Sequence, residues 1–412
     1  MESNNSSKID DLSRKKVHER LSRIQFGKIE IVEDENTLSF GEDNSSFEGK
    51  IIINDYKFYS ELVFGGSIGA AEAFMMKYWD TDDLTIIIRI LLQNRSILDE
   101  FDSGFGSIMK PLRKLAHWLQ RNTRKGSQKN ISAHYDLGND FFETWLDSKM
   151  MYSCAIYKNK DSSLEEASTL KIDRICKKLN LKESDHLLEI GTGWGGFAIY
   201  AAKNYGCKVT STTISKEQHQ MAKSRVDEEG LSSRINLLLE DYRDLSGQFD
   251  KLVSIEMIEA VGYQYYSDYF KKCSSLLKAD GLMVLQAITI ADQQYKKSIK
   301  SVDFIQKYIF PGGCLPSVSC MTEIMTTHTD LRVTNIEDIG LHYAFTLKEW
   351  RDRLYESIEK IKKMGYSDTF IRMWHYYLCY CEGAFIERAI GDVQMILMKP
   401  ENRNRPYLNF EK

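Results

Sequence analysis

Five prolines in 412 residues are too few for long disordered stretches. Long apolar runs are missing as well. None approaches the roughly 18 residues that a membrane span needs, and the oiliest stretch, 84–92, carries Arg89 at its middle and predicts a core helix. The opening MESNNSSKIDDLSRKK has no apolar segment followed by a cleavage site, so no secretory signal is expected. No cysteine precedes residue 154, none of the eight forms a CxxC pair, and a chain of this length needs no disulfide staples. Reduced thiols in a cytoplasmic protein are the expectation, and the missing ligand spacing disfavours a structural zinc. A net charge of −4 offers no excess of positive charge for nucleic acid.

At about 100–200 residues per domain the length predicts two or three domains. Residues 1–25 read as a polar leader with some helix. Over 26–64, the runs KIEIV, TLSF, KIIIN and ELVF are separated by Asn, Asp, Gly and Ser, which predicts a small meandering sheet. Two helices should follow. The first has Ala70, Ala71, Phe74, Met75 and Tyr78 on its apolar stripe, and the second has Leu84, Ile87, Ile88, Leu91 and Leu92. Residues 26–105 therefore read as a small α+β domain. No acidic residue lies between Asp102 and Asp136, while Lys110, Arg113, Lys114, Arg121, Arg124, Lys125 and Lys129 accumulate there. With Leu112, Leu115, Trp118 and Leu119 at helical spacing, the 106–130 segment reads in one of two ways. It is a basic amphipathic helix suited to an anionic bilayer, or an interdomain linker with a solvated basic face.

The third region, 131–412, changes pattern. Ser163 and Glu166 form a capping box ahead of a helix to about residue 179. The runs HLLEI, KVTSTTI, INLLL, DKLVSI and GLMVLQAITI then alternate with helical segments. Apolar β runs between helices predict a parallel sheet covered on both faces, the doubly wound α/β arrangement. A long helix should bury Leu347, Trp350, Leu354, Ile358 and Ile361 and stop before Gly365, and VQMILM supplies a last strand.

Between the HLLEI strand and its helix lies Glu189-Ile-Gly191-Thr-Gly193-Trp-Gly195-Gly196. Gly191, Gly193 and Gly196 satisfy G-x-G-x-x-G, a pattern shared by dinucleotide and S-adenosylmethionine sites. A dinucleotide domain places a carboxylate at the end of the second strand to hold a ribose hydroxyl. Here that strand ends Thr212-Thr213-Ile214-Ser215, without one. The carboxylate stands instead at Glu189, and an Asp241-Tyr242 pair follows the third strand, where it can hydrogen-bond and pack against an adenine. The methyl-donor reading is therefore preferred.

Several separated motifs resemble the cyclopropane fatty acid synthases, a family that includes the mycolic acid cyclopropane synthases. They are AHYDLGNDFF (133–142), MYSC (151–154), LLEIGTGWGGFA (187–198), TTISKEQ (212–218), EDYRDL (240–245), SIEMIEAVG (254–262) and KYIFPGGCLPS (307–317). GGSIGAAEAFMMKYWDTDDL (65–84) is similar to the small lipid-handling N-terminal domain of the two-domain phospholipid enzymes. The resemblance implies a seven-stranded class I methyltransferase sheet and transfer of a methyl from S-adenosylmethionine to a cis double bond of an unsaturated membrane phospholipid. Proton loss then closes the cyclopropane ring. It also implies a peripheral enzyme at the inner face of the cell membrane, for which a homodimer would strengthen surface attachment.

Carried over by motif, Tyr152, Ser153, Gly191, Gly193, Thr213, Ile214, Gln218, Tyr242 and Ile255 would line the cofactor site beside Glu189 and Asp241. A bicarbonate serving as base would sit among Cys154, Glu259, Gln286, Ile288 and Tyr343. Cys381 matches a position suspected of catalysis in the family, although packing is the favoured account of it. Tyr152, Tyr343 and Phe345 are candidates to favour a passing carbocation through their ring faces.

Two histidines usual in the bacterial enzymes are absent. Ala260 follows Glu259, and Gln286 replaces the bicarbonate-contacting histidine. Glutamine still donates a hydrogen bond but cannot become cationic, so bicarbonate should bind with less help from charge. EMIEAVG and LQAIT also resemble a branch containing plant cyclopropane synthases and actinobacterial enzymes that make methylene- or methyl-branched fatty acids. That branched product is one alternative. A methyltransferase for polar oxygen or nitrogen and a non-catalytic lipid-binding protein are the others.

Overall fold

The computed structural model describes residues 7–43, 45–103 and 138–403. The basic 106–130 segment falls wholly outside them, as does His134. The chain divides into two compact units. One holds Met1–Leu119, Lys300–Ile309 and Trp350–Ala389; the other holds Gln120–Ile299, Phe310–Glu349 and Ile390–Lys412.

The expected segments 1–25, 26–105, 106–130 and 131–412 are sequential, whereas here Lys300–Ile309 and Trp350–Ala389 group with the first unit. In that unit the Asp368–Ile386 helix lies against the Leu84–Gln93 helix so closely that a Cβ on Gly383 would stand 2.9 Å from Ile88 Cγ2. Thr85 Oγ1 donates to the buried Glu382 carboxylate at 3.0 Å across the same seam.

The expected polar leader is a capped helix, Lys8–Leu21, with a Ser7/Asp10 capping box. Val17 and Leu21 are buried, and Arg14 Nε donates at 2.7 Å to Glu33, which is itself buried on the first strand. The expected meander is also corrected. β1 (Lys28–Glu33), β2 (Asn36–Gly41), β3 (Glu48–Ile53) and β4 (Trp79–Thr81) are ordered β2-β1-β3-β4, with β1 and β3 parallel. ELVF is not a strand but part of the Lys57–Met75 helix, which ends before Tyr78. That helix breaks at Gly66 (φ +63°), and Asp102 Oδ1 accepts from Ser67 N at 2.9 Å to restart it.

The second unit is a doubly wound seven-stranded sheet, β10-β11-β9-β8-β5-β6-β7. Its strands are β5 (His186–Ile190), β6 (Lys208–Thr213), β7 (Ile235–Leu239), β8 (Phe249–Ile255), β9 (Leu277–Ile290), β10 (Arg332–Asp338) and β11 (Ile390–Met398). The five strands from β9 to β7 run parallel, and β11 and β10 are antiparallel additions at one edge. Strand order reverses between β5 and β8, where open α/β sheets bind their ligands at the carboxyl ends. Ile190 pairs with Ser254 there, so the loop after β5 and the turn after β8 emerge side by side. All eight cysteines are unpaired. Among the described residues, no helix is long and apolar enough to cross a membrane.

Candidate active site

The glycine loop is built by backbone. Gly191 and Gly193 take left-handed conformations (φ +104° and +52°), and Gly191 N and Thr192 N both donate to Thr212 O on β6, at 3.0 and 3.1 Å. No atom lies within 4 Å of where a Gly193 Cβ would stand, whereas one on Gly196 would lie 2.4 Å from Lys149 O. The glycines therefore serve different ends: Gly196 lets the helix start pack closely, and Gly193 keeps a space open. Arg225 fastens the loop, donating to Trp194 O at 2.8 Å and to Lys149 O at 3.2 Å.

Around this loop stand the other expected cofactor residues. Thr213 Oγ1 donates to Gln218 Oε1 at 3.1 Å, next to Ile214, and Ser215 caps the Lys216–Glu228 helix. Arg243 holds the Asp241 carboxylate, with Nε to Oδ1 at 2.8 Å. Tyr242 packs edge-on to Tyr269, and Ile255 lies beside the apolar cluster on the other sheet face. Tyr152 sits among Phe142, Trp145 and Phe310, with centroids 5.5–6.3 Å apart, and Phe142 also meets the loop residue Trp194 at 5.1 Å. Two expected cofactor side chains are committed elsewhere. Glu189 accepts from Ser211 Oγ at 2.5 Å, and burial pushes its carboxyl up to about 8. Ser153 Oγ accepts from Lys171 Nζ at 2.6 Å.

These residues fit S-adenosylmethionine. Left-handed glycines, an open space at Gly193 and an aromatic wall suit a bound nucleoside and sulfonium, and no phosphate cradle is needed.

The bicarbonate set does not fit in the same way. Cys154 N donates to Glu256 Oε1 at 2.8 Å, Gln286 Nε2 donates to the same oxygen at 2.7 Å, and Tyr343 OH donates to Glu256 Oε2 at 2.6 Å. The fourth expected donor, Ile288 N, goes to Glu259 Oε1 at 2.5 Å. All four donors expected to hold an anion thus already serve side-chain carboxylates of the chain. Glu256 is the residue that sequence reasoning left without a role. It follows β8 with φ +48°, a conformation costly for any residue with a Cβ.

Gln286 is oriented by a chain that begins at a cation. Lys178 Nζ donates to Gln394 Oε1 at 2.5 Å, and Gln394 Nε2 donates to Gln286 Oε1 at 3.0 Å. An ammonium only donates, so each amide beyond it has its polarity set, and Gln286 must present its NH2 to Glu256. Register explains the alignment, for Gln286 lies opposite Gln394 and Gln394 opposite Glu337. Lys171, Arg174 and Lys178 recur at helical spacing on the Leu164–Lys178 helix, with Lys171 and Lys178 buried. That stripe was the signal available in the sequence, because lysines on the apolar face of a helix need buried partners.

Charge in the cluster is uneven. Burial pushes the Asp392 carboxyl well up, and the nearby Glu256 pushes it further. Burial, then Glu256, raises Glu259 to about 8, and burial drives the Cys154 thiol well above its usual range. Lys171 is buried beside them; burial pulls its ammonium down, and the nearby Glu256 and Asp392 oppose that shift. Cys381 is half-buried on the Asp368–Ile386 helix, which belongs to the first unit, with its thiol raised by burial.

Comparison with known proteins gives a consistent picture. A family model for mycolic acid cyclopropane synthetase matches residues 122–395. A cyclopropane-fatty-acyl-phospholipid synthase of Escherichia coli is 37% identical over 357 residues, covering 86% of this chain and 89% of that one. Tuberculostearic acid methyltransferase UfaA1 of Mycobacterium tuberculosis is 36% identical over 352 residues, covering 81% and 79%. Among solved structures, the cyclopropane synthase MmaA2 from Mycobacterium tuberculosis is 31% identical with a TM-score of 0.62, over 66% of this chain and 98% of that chain.

Proposed function

Because the chain belongs to the mycolic acid cyclopropane synthetase family of S-adenosylmethionine-dependent methyltransferases, we propose that it modifies the cis double bond of unsaturated acyl chains in membrane phospholipids, forming cyclopropane rings. The observation that carries this reading is the match to the Escherichia coli phospholipid enzyme over 86% of the chain, first unit included. Bound S-adenosylmethionine supplies an electrophilic methyl group.

The residues do the rest. An alkene is a poor nucleophile, so it must be aligned and kept dry. Phe141, Phe142 and Trp145 are buried beside Tyr152 and form an apolar, aromatic wall next to the glycine loop. Such ring faces favour a carbocation, which bulk water would trap as an alcohol. The working position is a bilayer surface, at the inner face of the cell membrane.

One relative favours a second product. Transfer of the same methyl, followed by loss of a different proton, gives a methylene branch, and the 36% identical relative is named a tuberculostearic acid methyltransferase. Incubation with labelled S-adenosylmethionine and unsaturated phospholipid vesicles tests both. Label in the acyl chain with the mass of one added CH2 supports the proposal, and ozonolysis or NMR of the product separates ring from alkene. Label confined to polar products refutes it.

A further inference from the structure

We propose that Glu256, and not a bound bicarbonate, is the base that takes the proton in the last step. This deepens the reading above and rests on it. Three donors from three separate segments converge on the Glu256 carboxylate: Cys154 N, Gln286 Nε2 and Tyr343 OH, at 2.6–2.8 Å. A planar CO2 group held by just these donors has the shape and hydrogen-bonding demand of bicarbonate, and a second anion cannot share them. Glu256 is only partly buried, whereas Gln286 and Cys154, which donate to it, are fully buried.

The neighbours complete the assignment. Glu259 and Asp392 are both pushed up by burial and by Glu256, which favours their protonated forms, and the buried Lys171 lies within electrostatic reach of the Glu256 carboxylate. The step balances. The alkene π pair forms the bond to the methyl carbon as the sulfur–methyl bond breaks, leaving a carbocation on the acyl chain. A Glu256 carboxylate oxygen then takes a proton from the added methyl, and the freed C–H pair closes the third ring bond. The proton leaves later to solvent. Since the cation is very acidic, position matters more than basicity, and a carboxylate suffices.

The test uses full-length protein in CO2-free buffer. Wild-type label transfer into vesicle lipid should be unchanged by added bicarbonate. Glu256→Gly should lower turnover about 100-fold, the usual scale for loss of a general base, and bicarbonate should restore at least tenfold, because removing the side chain frees the donors. Glycine accepts φ +48° without strain, so the fold should survive. Glu256→Gln fills the same space and cannot take a proton; it should be equally slow and not rescued. Carbon-13 bicarbonate should bind Glu256→Gly and not the wild type. Bicarbonate binding by the wild type, a wild type that stops without bicarbonate, or full activity of Glu256→Gly in CO2-free buffer overturns the proposal. If the wild type methylates no lipid, the substrate reading fails, and the carbon-13 titration still decides whether Glu256 holds the anion's place.

Discussion

Three glycines in left-handed or crowded positions give a test of the cofactor loop that separates folding from binding. A Cβ on Gly196 would stand 2.4 Å from Lys149 O and 2.9 Å from Met151 Sδ, and a backbone oxygen cannot swing aside. Overpacking of that kind costs about 1–3 kcal/mol. At about 2–4 °C per kcal/mol for a unit of this size, Gly196→Ala should lower Tm by several degrees. Gly193→Ala meets no atom within 4 Å, so its only structural cost is the left-handed backbone at φ +52°, about 1–2 kcal/mol. Gly230→Ala carries the same strain, at φ +68° and equally open, beyond the Lys216–Glu228 helix.

The two strained variants should therefore lose similar stability and differ in binding. In calorimetry with S-adenosylhomocysteine, Gly193→Ala should weaken affinity tenfold or more, equal to about 1.4 kcal/mol, because its methyl enters the space kept for the ligand. Gly230→Ala should bind as the wild type does, and folded Gly196→Ala within about threefold of it. If Gly193→Ala binds as tightly as Gly230→Ala, the loop is not the cofactor cradle.

Other outcomes follow from the buried groups. The Glu259 carboxyl is raised to about 8 in the fold but not in the unfolded chain, so the folded state holds the extra proton. Stability should thus fall as pH rises from about 5 to 8, by up to about 1.4 kcal/mol per pH unit from this group, and Glu259→Gln should flatten the slope. Parallel denaturation curves for the two proteins would exclude it. Lys178→Met removes the donor that orients both glutamines, and should lower kcat about tenfold with cofactor affinity unchanged; equal loss of both marks a purely structural role. Cys381→Ala should keep turnover within about twofold, since a raised thiol is a poor nucleophile, and a hundredfold loss in the same vesicle assay would restore its catalytic assignment.

The parallel sheet was legible because apolar runs and helices alternate strictly, and β5, β6, β7, β8 and β9 stand where HLLEI, KVTSTTI, INLLL, DKLVSI and GLMVLQAITI put them. The first unit was less legible. KIEIV and KIIIN pair in parallel, and nothing in a pair of alternating runs tells a parallel partner from a hairpin partner. Contacts made by Gly383 and Glu382 with the Leu84–Gln93 helix join residues some 300 positions apart, which no local pattern reveals. In the site, both carboxylates of SIEMIEAVG were visible. The one that meets three of the four donors is set by the left-handed backbone at Glu256 and the short Ile258–Ala260 turn after it, which no local pattern in the sequence reveals.

That placement also accounts for Gln286. Capturing a free anion costs translational and rotational freedom on the order of several kcal/mol, and a histidine able to carry charge is a natural way to offset it. A carboxylate already attached to the chain needs no capture, so a neutral amide with fixed polarity is enough to hold it. Gln286, which is a weak partner for a free anion, and Glu256 are thus two halves of one arrangement. Its polarity runs from Lys178 through Gln394 and Gln286 to Glu256.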